Sequence, residues 1–230
     1  MNHSPLSWPG ILCGFEAEAI IARQFMPLVA LSGGRSEMAR QRAQALLDQG
    51  ASGLVSFGIA GGLDPDLKAG DLVIASHVTS ASGTYAADAG WLAALTAALP
   101  GARCGHVLGS DEILHHSSQK AGAFRATGAL AVDMESHIVA DVAQAAGRPY
   151  AVIRAIADKA DFDLPMMVAQ GLTADGKPNL GPILVGLARA PWQLPALMAT
   201  GKASERALQS LLCRGGVALL GLGLGGMDLA

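Results

Sequence analysis

The segment Tyr150–Ile156, YAVIRAI, is apolar at every position except Arg154. A strand with one wet face alternates apolar and polar residues; this one does not, so both of its faces need cover. Helices above and below a sheet give that cover, and the rest of the chain alternates further short apolar runs with Ala-rich stretches. GILCG (10–14), PLVAL (27–31), GLVSFG (53–58), LVIAS (72–76), HVL (106–108) and LAVDM (130–134) read as strands. Glu16–Phe25, Glu37–Gln49, Trp91–Leu99 and Ser136–Ala146 read as helices, with Gly50 stopping the second and Pro100-Gly101 the third. The pattern predicts an α/β fold, a three-layer α-β-α sandwich around a mixed central sheet.

Past Ile156 the texture changes to loop-like sequence carrying Pro165, Pro178 and Pro182. A short helix is expected over Ile183–Leu187, ended by Pro191, and a last one over Ser204–Leu212 with Ser204 as its N-cap. No repeat and no low-complexity linker interrupts the chain, so residues 1–230 read as one domain with a divergent C-terminal segment from about 160.

Charged residues are 15% of the chain and the net charge is -3. An apolar chain of this kind is not disordered, and without a basic excess it is not expected to bind nucleic acid. Soluble domains usually carry about 25% charged residues; the shortfall points to subunit contacts in a homo-oligomer or to an apolar ligand. Cys13, Cys104 and Cys213 form no CxxC pair, so neither a disulfide framework nor a zinc ribbon is expected. The start, MNHSPLSWPG, has neither the basic nor the apolar region of a secretory signal. The apolar tail Gly215–Ala230 is shorter than the roughly 20 residues of a spanning helix. These features predict a cytoplasmic protein, with peripheral contact to a membrane surface left open.

Three motif-like strings carry little. GLGLGG (221–226) fits GxGxxG but lacks the helix and acidic residue that should follow, so it reads as a flexible apolar tail. GLTADGKP (171–178) approaches a P-loop, but Pro178 stands where a hydroxyl must hold magnesium. His115 and His116 are adjacent, diverge on a helix, and have no supporting ligand spacing, so no metal site is expected.

Four segments carry chemistry: GFEAE (14–18), FGIAGGLDPDLKAGDLVIAS (57–76), VDMES (132–136) and VIRAIAD (152–158). Each lies at or just past the C-terminal end of a predicted strand, where α/β sheets bind ligands. Glu18, Glu135 and Asp158 are therefore expected to converge. Taken singly each has a duller role: Asp158 as a turn or cap residue, Glu135 as a helix cap, Glu18 as a first-turn carboxylate favoured by the helix dipole. Their order and spacing together are harder to dismiss.

In that order and wording the chain resembles the nucleoside phosphorylase and nucleosidase superfamily, over roughly Gly10 to Asp158. The segment beyond, ADxxxxxLP and then ADGKPNLGPILVGLARAPWQLPAL, resembles the hopanoid-associated phosphorylases, which act on adenosylhopane, a triterpene joined to the 5′ carbon of adenosine. The resemblance implies Asp158 as the general acid at purine N7 and Glu18 as the residue that activates water in the hydrolases. It implies Glu135 on the ribose hydroxyls, Met134 packed under the sugar, and Arg154 near the acid, with Asp133, Ile113 and Gly61 completing the substrate-binding set. The ligand it implies is a small-molecule nucleoside, lipid-linked in that branch. No cofactor is implied, and inorganic phosphate is the expected co-substrate.

The chemistry suits such residues. A purine leaves poorly until N7 is protonated, and a placed acid contributes about 10²–10⁴ in rate. An unperturbed Asp ionises near ~3.9, so burial must raise it if it is to hold a proton at neutral pH. A carboxylate on the ribose favours the positive charge developing at C1′.

Several positions depart from the family's pattern. Ile59 replaces a serine that contacts phosphate or water, and Ser56 and Glu18 stand where phosphorylases carry phosphate-binding arginines. Ala157 replaces a serine beside the acid, and Ile113 a base-stacking phenylalanine. Arg35, with Gly33 in SGGRS and Gly14, is the candidate substitute phosphate site, through backbone N–H groups left free by glycine. The expected reaction is phosphorolysis of adenosylhopane with release of adenine. The alternatives are a hydrolytic methylthioadenosine/S-adenosylhomocysteine nucleosidase, which Glu18 favours, and a nucleoside-binding relative without turnover.

Overall fold

The computed structural model describes residues 8–165, 168 and 180–224. Its strands are β1 (Gly10–Cys13), β2 (Val29–Leu31), β3 (Leu54–Gly62), β4 (Leu72–Ser80), β5 (Gly83–Ala86), β6 (Arg103–Gly109), β7 (Ala131–Asp133) and β8 (Tyr150–Asp158). The helices are α1 (Glu16–Ala22), α2 (Ser36–Asp48), α3 (Ala89–Ala98), α4 (Ser117–Thr127), α5 (Ser136–Ala145), α6 (Leu180–Arg189), α7 (Leu194–Ser210) and α8 (Gly216–Leu224). A π-helical turn, Leu211–Gly215, joins the last two.

β8 is the central strand. It runs parallel to β3 on one side and antiparallel to β4 on the other. β4 continues to β6, β6 to β7, and β7 returns antiparallel to β3. The mixed sheet therefore closes a ring, β3-β8-β4-β6-β7, with β1 and β2 extending from β3 and β5 from β4. The apolar run behaves as its pattern requires. Ala151, Ile153, Ala155 and Ala157 face a core shared with α1, α3, α7 and α8, whereas Tyr150, Val152 and Ile156 face a second core under α2 and α5.

Two expectations about the C-terminal segment are corrected. Ser204 is not a cap: α7 begins ten residues earlier at Leu194, with Pro195 in its first turn, where the missing N–H costs nothing. The tail is not flexible as far as Leu224, because α8 buries Ala218, Leu219 and Leu222 in the first core. Gly223 lies against the Trp8 ring. The rest of GLGLGG and the whole of GLTADGKP lie outside the described residues. Besides α8, β5 and α4 were not foreseen; His115 and His116 precede α4 with their rings in contact. Among the described residues no helix is long and apolar enough to cross a membrane.

If α8 is core, deleting its buried side chain should cost as much as a sheet residue. Leu219→Ala is expected to lower stability by about 2–5 kcal/mol, whereas Val217→Ala, at a position 54% exposed, should stay within about 0.5 kcal/mol. Urea denaturation of both variants measures this.

Candidate active site

Glu18 sits in the first turn of α1, just past β1. Its Oε2 accepts hydrogen bonds from the backbone N–H groups of Gly14 and Phe15, both at 2.8 Å. Its Oε1 accepts from Ile59 N–H on β3 at 2.7 Å. The carboxylate thus caps its own helix and bridges it to the sheet. β3 can approach so closely because residue 58 is glycine: a Cβ there would strike the Glu18 carboxylate and the Arg154 guanidinium. Burial pushes Glu18 above the usual carboxylate range, against Arg154 and the three N–H donors.

Arg154 lies in mid-β8, fully buried, on the face with Val152 and Ile156. Its Nε donates to Asp133 Oδ2 at 2.7 Å. Its Nη2 donates to Ser56 Oγ at 2.5 Å and reaches Glu135 Oε2 and Ser136 Oγ at 3.3 Å. The serine that stands where phosphorylases carry an arginine therefore receives this one from a neighbouring strand. Asp133 is used up structurally: Oδ1 accepts from the N–H groups of Glu135 (3.0 Å) and Ser136 (2.8 Å), and Oδ2 takes the Ser136 hydroxyl besides Arg154. It therefore shapes the site rather than offering a free carboxylate.

Glu135 precedes α5 and is 4% exposed. Ser32 Oγ lies 3.5 Å from its Oε1. Burial, resisted by Arg154 and helped by the nearby carboxylates of Asp133 and Glu18, pushes its pKa up to about 7.

Asp158 ends β8. A β-bulge opposite Ala60 and Gly61 skips Ala157 and sets Asp158 beside Gly61. It is 7% exposed. Burial raises it above the ordinary carboxylate range, and the Lys120 ammonium works in the other direction. Lys120, on α4, is fully buried and donates to Asp158 Oδ2, with the carbonyls of Lys159 and Phe162 each 2.9 Å from Nζ.

Glu18, Glu135 and Asp158 line one cavity of about 450 Å³, together with Asp133, Met134, Ile113, Gly61 and Ile59. Its far wall is apolar, made by Leu114, Leu164, Val168 and the α7 residues Leu197 and Leu208. No Lys or Arg is among the described residues that line it.

The structure therefore gathers the expected substrate-binding and acid–base residues, but Arg154 is not beside the acid as expected: it lies against Asp133, Glu135 and Glu18, and the cation at Asp158 is Lys120. It does not gather the expected phosphate site. Gly33 faces a different cleft, beside Arg23 and Arg42. Arg35 is exposed at the start of α2, outside both lining sets. Gly14 N–H is taken by Glu18. The physical reason is local: Gly33 and Gly34 both adopt φ +67, and Gly34 N–H turns back to Ser32 Oγ. Lys120 was missed altogether. Gln119, three residues after His116 and bonding back to its N–H, and Gly128 at φ +68 are the start and stop signals that mark its helix.

The family model for the Phosphorylase superfamily matches residues 26–175. The chain belongs to that superfamily. No curated protein matches it by sequence. By structure it is similar to a 5′-methylthioadenosine/S-adenosylhomocysteine nucleosidase from Neisseria meningitidis, solved with methylthio-immucillin-A: 19% identity, TM-score 0.70, covering 94% of this chain and 98% of that one. It is also similar to the corresponding Helicobacter pylori nucleosidase (18%, TM-score 0.71, 97% and 100%). Futalosine hydrolase of Helicobacter pylori strain 26695 gives 19% identity and TM-score 0.69, covering 94% and 97%. At these identities the likeness establishes the fold.

Two outcomes follow from the buried charges. Arg154→Met leaves Asp133 and Glu135 without their cation and is expected to cost about 3–5 kcal/mol in a denaturation experiment. Glu135 takes up a proton more readily folded (about 7) than unfolded (4.5), so its stabilising contribution is full below 4.5 and is lost as pH rises through 7. The stability of the wild type relative to Glu135→Gln should therefore be larger at pH 5 than at pH 8; an equal difference at both would contradict the assignment.

Proposed function

We propose that the protein releases adenine from a purine nucleoside by breaking its N-glycosidic bond, with water as nucleophile. One observation carries this reading: besides Asp133, whose oxygens are engaged by the fold, three buried carboxylates in three different electrostatic settings line one cavity that has no cation among its described lining residues. Asp158 is the general acid at N7. Its burial favours the protonated form, and proton transfer to N7 makes the purine a competent leaving group. Glu135 receives the ribose hydroxyls and favours positive charge at C1′. Glu18 takes the proton of the attacking water. Its backbone donors and Arg154 keep ionisation within reach, while burial keeps it basic enough to act.

A phosphate dianion is ill matched to this cavity. Its carboxylates would repel it, and the N–H groups of Gly14 and Phe15 that might cradle it are engaged by Glu18. Phosphorolysis, with inorganic phosphate as co-substrate, is the second reading, favoured by the sequence resemblance of the C-terminal segment to hopanoid-associated phosphorylases.

The apolar wall suggests the substrate. Leu114, Leu164, Leu197 and Leu208 would accept a bulky apolar 5′ group, as in adenosylhopane. Leu194 and Met198 on α7, 44% and 55% exposed, flank Leu197 and would let such a group extend toward a lipid surface.

Incubation with methylthioadenosine and with an adenosine bearing a long 5′ alkyl group, each with and without phosphate, tests the reaction. Adenine and free sugar should appear in both conditions. A sugar 1-phosphate formed only with phosphate would establish the second reading. Asp158→Asn is expected to lower kcat by about 10²–10⁴ while nucleoside binding persists. Gly201→Trp extends into the cavity from a position where a Cβ meets nothing within 4 Å. It should lower kcat/KM for the alkyl substrate at least about tenfold more than for methylthioadenosine, a difference of about 1.4 kcal/mol.

A further inference from the structure

The proposed reaction gives Lys120 nothing to do, yet its ammonium is fully buried and spends its donors on three oxygens: Asp158 Oδ2 and the carbonyls of Lys159 and Phe162. A buried cation is costly unless its partner needs it. We infer that Lys120 is a positioning residue for the reaction. It fixes one oxygen of Asp158, leaves Oδ1 to meet the purine, and balances the charge that Asp158 acquires on giving up its proton. This inference rests on the adenine-releasing reading of the site.

The step balances. As the C1′–N9 bond breaks, its electron pair enters the purine ring and the Asp158 proton passes to N7. Asp158 becomes a carboxylate against the Lys120 ammonium. The ribosyl cation takes the oxygen of water, and Glu18 accepts the proton that water loses. Exchange with solvent returns a proton to Asp158 and removes one from Glu18. Burial alone would make Asp158 a weak acid that keeps its proton, and an unshielded cation would leave it none to give. The two effects oppose each other at this carboxyl.

One other charge reaches the pair: the Asp163 carboxylate, on the exposed loop after β8, feels the Lys120 ammonium, though its main partners are Ser117 N–H and His116. β3 presents Gly61 and β7 presents Val132. On the loop after β8, Lys159 pairs with Asp161. Asp163 accepts from Ser117 N–H and lies 3.9 Å from His116. His115 Nδ1 turns to the Ile113 carbonyl. The contacts of Nζ to the 159 and 162 carbonyls also fasten this loop, whose Leu164 forms part of the cavity wall.

The experiment compares pH profiles of kcat for wild type, Lys120→Met and Lys120→Arg on two substrates: methylthioadenosine and a nitrophenyl riboside, whose leaving group departs without protonation. Activity needs protonated Asp158, so kcat on methylthioadenosine falls as pH rises through its pKa. Removing the cation raises that pKa, and the falling limb should move up by about 1–3 pH units in Lys120→Met. The plateau on methylthioadenosine should drop about tenfold or more, and the loss on the nitrophenyl riboside should be at least about tenfold smaller. Lys120→Arg, which keeps the charge, should hold the limb near its wild-type position. Equal losses on both substrates with the limb unmoved would reduce Lys120 to a structural contact and overturn the inference.

Should Lys120→Met fail to fold, Lys120→Gln, neutral but still a donor, carries the same comparison. If neither neutral variant folds, the wild type decides: the nitrogen-15 signal of Lys120 must shift as the Asp158 carboxyl titrates, and independent titrations overturn the inference. A wild type that releases no adenine from either nucleoside would remove the reaction and this role together, a result distinct from any specific to Lys120.

Discussion

The site depends on a guanidinium placed inside the sheet. Arg154 occupies a position on β8 where its neighbours Val152 and Ile156 are core residues, and its whole hydrogen-bonding fork is turned to polar partners. Those partners come from three elements: Ser56 from β3, Asp133 from the end of β7, and Glu135 from the start of α5. Without a cation at that point, Glu18, Asp133 and Glu135 would place several negative charges in low dielectric, and some would neutralise or the ring would open to water. With it, the carboxylates stay buried and close together. The ring of strands β3-β8-β4-β6-β7 makes this possible, because β8 is paired on both edges and a helix-backed core covers each of its faces at Arg154 and its neighbours.

Much of this was legible from local pattern. The continuous apolar run 150–156 located the central strand because burial on both faces is written in composition. The acidic residues after strands were legible because ligands collect at strand ends. What was not legible depends on contacts across the chain. β3 and β4 run on past Gly58 and Ser76 because pairing with neighbouring strands carries them through Gly61 and Gly62 and through His77 and Ser80, where strand propensity is weak. α7 contains Pro195, Thr200 and Gly201, which read as a broken stretch. Within the fold they form one helix, with Thr200 Oγ1 bonded to the Ala196 carbonyl and Ala207 packed in the core. The loop SGGRS looked ready for an anion because glycine frees backbone N–H groups; its own turn consumes one of them. Lys120 is the hardest case. A lysine in a Ser-, Gln- and Gly-containing segment reads as a solvated side chain, and only the return of the chain 38 residues later brings Asp158 to it.

The C-terminal segment has two duties that explain its change of texture. One face of α7 packs on β8 and contributes to the core, and another closes the cavity with Leu197, Thr200, Gly201, Ser204 and Leu208. A helix that serves as both core and wall cannot keep a simple apolar stripe, since its cavity face must mix small and apolar residues to leave room. The π-helical turn at Leu211–Gly215 then carries the chain from α7 into α8 while keeping Leu211 and Gly215 buried.

Besides Asp133, three buried carboxylates line the cavity, and they would be redundant if their surroundings were alike. They are not alike. Glu18 is embraced by three backbone N–H groups, which stabilise its ionised form while burial opposes it. Glu135 shares Arg154 with a stronger competitor, since Asp133 holds Nε at 2.7 Å against 3.3 Å for the Glu135 contact, and it has the cavity on its free side. Asp158 lies apart from the guanidinium and answers to a lysine. Chemistry that must give a proton to one end of a bond and remove one at the other needs that asymmetry, because groups with the same affinity for protons cannot divide the work. Here the division comes from which cation each carboxylate meets, and those meetings are arranged by strand order, not by neighbours in sequence.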